Sequence, residues 1–327
     1  MSAIRKVQRT PSGTFFVCVP KSWAERCSLN RGSVIAIDET SDGKLLLDPR
    51  HGATPSQRTA ILKPDLYLNR EIIGKYLLGF DIIRVESKNG VSLEVRNIVK
   101  GAVNRLIGLE IVEEDYSNIA LQCLLEPSGF PPEKILRRAY AIAAGMHRDV
   151  VNALIDGDLS LVKNVVARDD EINRLYFLLV RILRTIIQNP RLSEKLGVSP
   201  IDCLDYRLVA SLVETIGDEC VHMANKAMEL EGLKLGGDIG RAFVDFHLAC
   251  FGAHELALNA FITGDVALAE SVRGAREKME KYFSNIEATV GGQSVEVVPH
   301  ILAVASFLRQ IYEHSVDIAD LVVSRRD

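Results

Sequence analysis

The chain has 327 residues, 47% of them hydrophobic, and a net charge of −4. That length suits two or three domains of roughly 100–200 residues each, and the apolar share excludes a mainly disordered chain. The negative balance gives no global attraction to nucleic acid or to an anionic membrane. No apolar run approaches the roughly 18 residues of a membrane span. No apolar signal region follows Met1-Ser-Ala-Ile-Arg-Lys, so a cytoplasmic location is expected. Cys18, Cys27, Cys123, Cys203, Cys220 and Cys250 are scattered without a C-x-x-C pair. That is the pattern of buried thiols in a reducing compartment, not of a disulfide framework or a zinc knuckle.

Residues 1–52 read as a small β module. A β-rich run, residues 15–19, follows a Pro-Ser-Gly turn. Pro20 stops it, and residues 22–27 make a short helix. Residues 34–37 and 45–47 flank Ser41-Asp-Gly43, whose Asp-Gly step signals a hairpin. So small a sheet buries too little area alone, and pairing with a second copy is expected. Residues 53–130 form an α/β (α+β) module. Strands are expected at 61–68 (an edge, given Pro64), 82–86, 109–112 and 119–125, and helices at 69–78 and 91–107. It holds no Gly-rich phosphate loop, nucleophile elbow or metal-ligand spacing.

Residues 131–327 read as an all-α bundle built from a repeated unit. Asn152-Ala-Leu-Ile-Asp-Gly-Asp-Leu-Ser-Leu161 is echoed by Asn259-Ala-Phe-Ile-Thr-Gly-Asp-Val-Ala-Leu268. In each, Gly ends one helix and Asp caps the next. Two repeats of three helices follow, at about 131–230 and 236–327. Asn189-Pro190 and Gly291-Gly292 close the second helices. Ser199-Pro200 opens the third helix of the first repeat, and Pro299 should kink its counterpart.

The chemistry-bearing residues lie on these helices. Glu214, Asp218 and His222 are spaced i, i+4, i+8, so they share one helix face. Glu313, Asp317 and Asp320 repeat the stripe on the last helix. Carboxylates one turn apart can share a hard cation such as iron, manganese or magnesium, and the same pattern also fits a solvated face. Glu219-Cys-Val-His222 matches E-x-x-H, but a di-iron bundle needs a second such match and none occurs; His247 and His254, two turns apart, read as core or polar-face residues. In residues 1–52 eight Lys/Arg face five Asp/Glu, a balance of +3. That makes this module the candidate for nucleic acid, or else a mildly basic dimerisation module.

Two resemblances emerge from these residues. Val166-Ala-Arg-Asp-Asp-Glu-Ile-Asn-Arg-Leu-Tyr176 and Glu214-Thr-Ile-Gly-Asp218, inside a doubled three-helix unit, resemble the PhoU family of phosphate-uptake regulators over about 131–327. Thr10-Pro-Ser-Gly-Thr-Phe-Phe-Val-Cys-Val-Pro-Lys21, with Leu29-Asn-Arg-Gly-Ser-Val-Ile-Ala-Ile37 and Gly43-Lys-Leu-Leu-Leu-Asp-Pro49, resembles the AbrB/SpoVT/MazE swapped-hairpin modules, dimers that bind DNA. A PhoU-like bundle behind such a module resembles archaeal members of the family.

The first resemblance implies a non-enzymatic regulator that restrains phosphate uptake through the phosphate ABC transporter ATPase or an associated signalling protein. It also implies iron or zinc on E/D-x-x-x-D motifs, with magnesium or manganese as alternatives. Those motifs fall on Asp169 with Asn173, Glu214 with Asp218, Arg276 with Glu280, and Arg309 with Glu313. Asn173 is a weaker oxygen donor than a carboxylate, and Arg276 and Arg309 place cations where an acid should be; guanidinium cannot ligate a metal. The second resemblance implies a homodimer contacting DNA through Arg5, Lys6, Arg9 and Lys21, although Thr14, Ala24 and Glu25 stand where that family places arginines. Rival functions are a transcription factor whose bundle senses a ligand and a carboxylate-bridged metalloenzyme.

Overall fold

The computed structural model of the protein describes residues 4–39, 43–49 and 57–322. It divides into two units, Met1–Ser56 and Gln57–Asp327. In the first, β1 (Gln8–Arg9) pairs antiparallel with β2 (Phe15–Phe16). The turn between them closes on a Gly13 N–H to Thr10 carbonyl bond of 2.9 Å. Helix α1 (Lys21–Arg26) follows Pro20, and β3 (Ala36–Glu39) pairs antiparallel with β4 (Leu45–Asp48). The turn expected at Ser41-Asp42 lies outside the described residues. The β-rich run at 15–19 is strand only over its first two residues, because β1 offers a partner no longer than that. Among the described residues of this unit none is buried.

The second unit begins with a four-stranded sheet. Its strands are β5 (Thr59–Leu62), β6 (Ile82–Glu86), β7 (Leu109–Glu114) and β8 (Asn118–Cys123), in the order β5-β6-β8-β7. β5 and β6 are parallel and the other pairings antiparallel. The first strand starts two residues before the expected 61 and stops ahead of Pro64, which has no N–H for a ladder. Helices α2 (Leu68–Leu77) and α3 (Leu93–Asn104) cover one face. Tyr76, Ile72, Ile83, Val85, Val99 and Leu121 fill the layer between.

Among the described residues eight α-helices follow: α4 (Pro132–Asp156), α5 (Leu159–Gln188), α6 (Pro190–Leu196) and α7 (Asp202–Glu229), then α8 (Gly237–Thr263), α9 (Val266–Gly274), α10 (Arg276–Thr289) and α11 (Val298–Asp320). Gly157 and Gly264 end α4 and α8 in the left-handed conformation, at φ 68° and 66°. Asp158 then accepts from the Ser160 and Leu161 N–H groups, and Asp265 from those of Ala267 and Leu268.

Three local expectations change. The long second helix of the second half is split into α9 and α10 at Ala275, after Gly274, whose missing side chain weakens a helix there. Pro299 does not kink α11; it lies in the first turn, where a missing N–H costs nothing. Helix α7 starts at Asp202, not at Pro200. Ser199 and Asp202 bond reciprocally, Ser199 N–H to the Asp202 carboxylate at 3.0 Å and Asp202 N–H to Ser199 Oγ at 3.2 Å.

A buried arginine ties the bundle to the α/β layer. Arg181 of α5 is buried, and its guanidinium donates to the Tyr76 carbonyl at 2.6 Å and the Phe80 carbonyl at 3.0 Å. These are carbonyls at and beyond the C-terminus of α2, where a helix presents unsatisfied acceptors and partial negative charge.

Candidate functional site

Helices α5 and α7 pack side by side and bring the two acidic pairs of the first half onto one face. Gly217 permits the close approach: a Cβ there would lie 2.8 Å from Ile172 Cδ1. Asp169 and Asn173 are contributed by α5, and Glu214 and Asp218 by α7. The Asn173 amide donates to Asp169 Oδ2 at 2.9 Å. Asp169 Oδ1 is buried with no hydrogen-bond partner.

Burial raises the pKa of all three acids. Asp169 is raised further by Asp218 and Asp170, and Glu214 by Asp218 and Asp169. For Asp218 burial again leads; His222 opposes it and Glu219 adds to it. Arg105, at the end of α3, and Arg207 of α7 oppose the shifts of Asp169 and Glu214. The result is a half-buried, mutually repelling set of carboxylates, a surface that favours a cation.

The corresponding residues of the second half behave differently. Glu313 of α11 receives Arg276 at 2.8 Å, and Glu280 of α10 receives Arg309 at 2.8 Å. The arginines at the expected acid positions are thus the counterions of the acids one turn away on the other motif. Among the described residues, no three His, Cys, Asp or Glu side chains gather as a preformed metal centre would. The Asp169/Glu214/Asp218 set has the oxygen chemistry for a hard cation without that preformed convergence; the Glu280 and Glu313 set is occupied by guanidinium.

Glu219 and His222 do not act together. Glu219 is buried and faces His314 at 3.8 Å, while His222 is exposed and stacks on Phe307. In the N-terminal unit Arg5, Lys6, Arg9 and Lys21 are all exposed. Arg9 lies over the Phe15 ring at 5.4 Å, and Lys21 is 3.7 Å from Glu25. Arg5 and Lys21 line a groove of about 1110 Å³ floored by Trp23, Leu45 and Leu47. Sequence reasoning missed Arg105 and Arg207, which modulate the acidic face from outside the motif, and Arg181; no spacing in the sequence marks any of them.

Helices α4 to α7, with Asp169, Glu214 and Asp218 on one face, are the part that comparison identifies. Residues 136–227 match the PhoU domain. The crystal structure of PhoU from Pseudomonas aeruginosa is similar with a TM-score of 0.52 at 22% identity, over 58% of this chain and 93% of that one. The crystal structure of the phosphate transport system regulatory protein PhoU from Streptococcus pneumoniae gives 0.49 at 16% identity, over 58% and 91%. The Pseudomonas likeness shows a shared helical fold. Among curated proteins no sequence matches the chain. Among the described residues, no helix is long and apolar enough to cross a membrane.

Proposed function

We propose that the protein is a non-enzymatic regulator of phosphate uptake that restrains the phosphate ABC transporter through its ATPase or an associated signalling protein. The observation that carries this reading is the PhoU domain match over residues 136–227, the segment that holds Asp169, Glu214 and Asp218. The acidic face is where a cation would bind, with those three carboxylates and the Asn173 carbonyl as donors. Iron or zinc fits the reading, with magnesium or manganese as alternatives. The test is deletion and overexpression with measurement of phosphate uptake. Unchanged uptake and unchanged phosphate-responsive transcripts in both would sink the proposal. Affinity purification from phosphate-replete cells should recover the transporter ATPase.

A second element of the reading concerns the N-terminal unit. Its described residues bury nothing, and Ile4, Val7, Phe15, Phe16, Val34 and Leu45 stand exposed. Such a surface supports pairing with a second copy, a homodimer of swapped hairpins presenting Arg5, Lys6, Arg9 and Lys21 to DNA phosphates. A gel shift at physiological salt, with Arg5→Ala and Arg9→Ala as controls, tests the DNA contact. No retardation by the wild type would assign the module to dimerisation alone, and equal retardation of wild type and double variant would rule out Arg5 and Arg9 as the DNA contacts.

A further inference from the structure

Three histidines that no family motif uses meet in the interior, where the first half packs on the second. His147 is on α4, and His247 and His254 lie two turns apart on α8. Their exposures are 0%, 6% and 0%. Tyr140 Oη lies 2.8 Å from His254 Nδ1, His254 Nε2 lies 3.0 Å from His147 Nδ1, and His147 Nε2 lies 3.1 Å from His247 Nδ1. The central ring turns opposite nitrogens to its two neighbours, so the group is a linear hydrogen-bonded chain. Phe251 packs on all three rings, and the Arg148 guanidinium lies over Phe251 at 5.0 Å. At its outer end Tyr140 lines an open groove with Arg137, Glu255 and Asn259.

Proton counting constrains this chain. A neutral imidazole has one N–H donor and one lone-pair acceptor. Three links are satisfied only when every ring points the same way, from Tyr140 O–H inward or from His247 N–H outward. One added proton keeps the links, but as an imidazolium among apolar rings with another cation, Arg148, close by. A second added proton sets two N–H groups against each other wherever it is placed.

We propose that the Tyr140–His254–His147–His247 chain is an acid-sensitive latch between the α4–α7 and α8–α11 halves, whose protonation opens the α4–α8 contact while the α7–α11 contact holds. Among the described residues, the groups acting on the imidazoles are one another and Arg148 of α4; Glu255 of α8 acts on Tyr140. Among the described residues, no carboxylate acts on the three rings themselves. Burial pushes His247 down to about 4 and His254 to about 3, and holds His147 well below its ordinary value. The α7–α11 contact is built differently, with the Glu229 carboxylate beside the His300 ring at 2.9 Å.

The test is hydrogen–deuterium exchange on the full chain from about pH 7.5 to about pH 4.5, corrected for intrinsic chemistry. Segments 140–151 and 244–258 should lose protection on the order of tenfold or more ahead of 209–227 and 301–319. In His147→Leu/His254→Leu that selective response should vanish. Uniform loss, no loss, or an unchanged response in the variant overturns the latch. Should the variant fail to fold, imidazole nitrogen spectra of the wild type decide. Three neutral rings of one tautomer, silent through pH 6.5, support the proposal, and ordinary titration of any of them overturns it.

Discussion

The two halves of the helical part, α4–α7 and α8–α11, share their turns and differ in their charges. Gly157-Asp158 and Gly264-Asp265 adopt the same left-handed exit and the same two-bond cap. Yet Asp169, Glu214 and Asp218 repel one another on a half-buried face, whereas Glu280 and Glu313 are each held by an arginine. Backbone architecture and side-chain electrostatics have therefore separated within one molecule. One half is left with unspent negative charge on its acidic face, and the other pairs its motif acids with arginines.

The largest test addresses the shared architecture. A Cβ on Gly157 would lie 2.3 Å from the Gly232 carbonyl oxygen, in the segment linking the halves. Gly157→Ala combines that collision with left-handed strain, and a loss of about 3 kcal/mol or more is expected in urea unfolding. Gly264→Ala should lose about 1–2 kcal/mol from backbone strain. Equal losses would mean that the turns are equivalent in packing as well as in shape. The next test addresses cation binding. Zinc or manganese at a hundredfold excess over its dissociation constant should stabilise the wild type by about 2.7 kcal/mol. Asp218→Asn should abolish that gain and Glu313→Gln should keep it. A gain that survives Asp218→Asn would place the ion elsewhere.

What could be read from the sequence follows the range of the interactions. The Gly-Asp turns were legible because capping is settled within four residues, and β6 matched its expected 82–86 because a branched run admits little else. The i, i+4 acids were legible as a stripe, but their repulsion with Asp169 needed the packing of α5 on α7. The break at Ala275 was hidden because a single glycine in a helix pattern is ordinarily tolerated. The histidine chain was hidden because His147 lies a hundred or more positions before the His247/His254 pair it joins. Arg181 was hidden because arginine is rarely buried, and its partners here, the Tyr76 and Phe80 carbonyls, lie about a hundred positions away.

The smaller tests turn on sign. Glu280→Gln or Glu313→Gln leaves an arginine without its acid and should cost about 0.2–1 kcal/mol, the range of exposed ion pairs. Glu214→Gln should do the reverse and stabilise by a few tenths of a kcal/mol, since it removes like-charge repulsion at i, i+4. The pH dependence follows from the direction of the Glu214 shift, raised first by burial and then by Asp218 and Asp169. A carboxyl with a raised folded-state pKa binds its proton more tightly in the folded chain than in the unfolded one. Stability therefore declines as pH rises from the unfolded value, near 4.3, through the folded one, and levels off above it. Glu214→Gln should flatten that decline and exceed the wild type only above this window, as urea midpoints at both ends would show. A loss of stability at neutral pH in Glu214→Gln would mean that the face is not self-repelling. The electrostatic difference between the halves would then rest on the arginines alone.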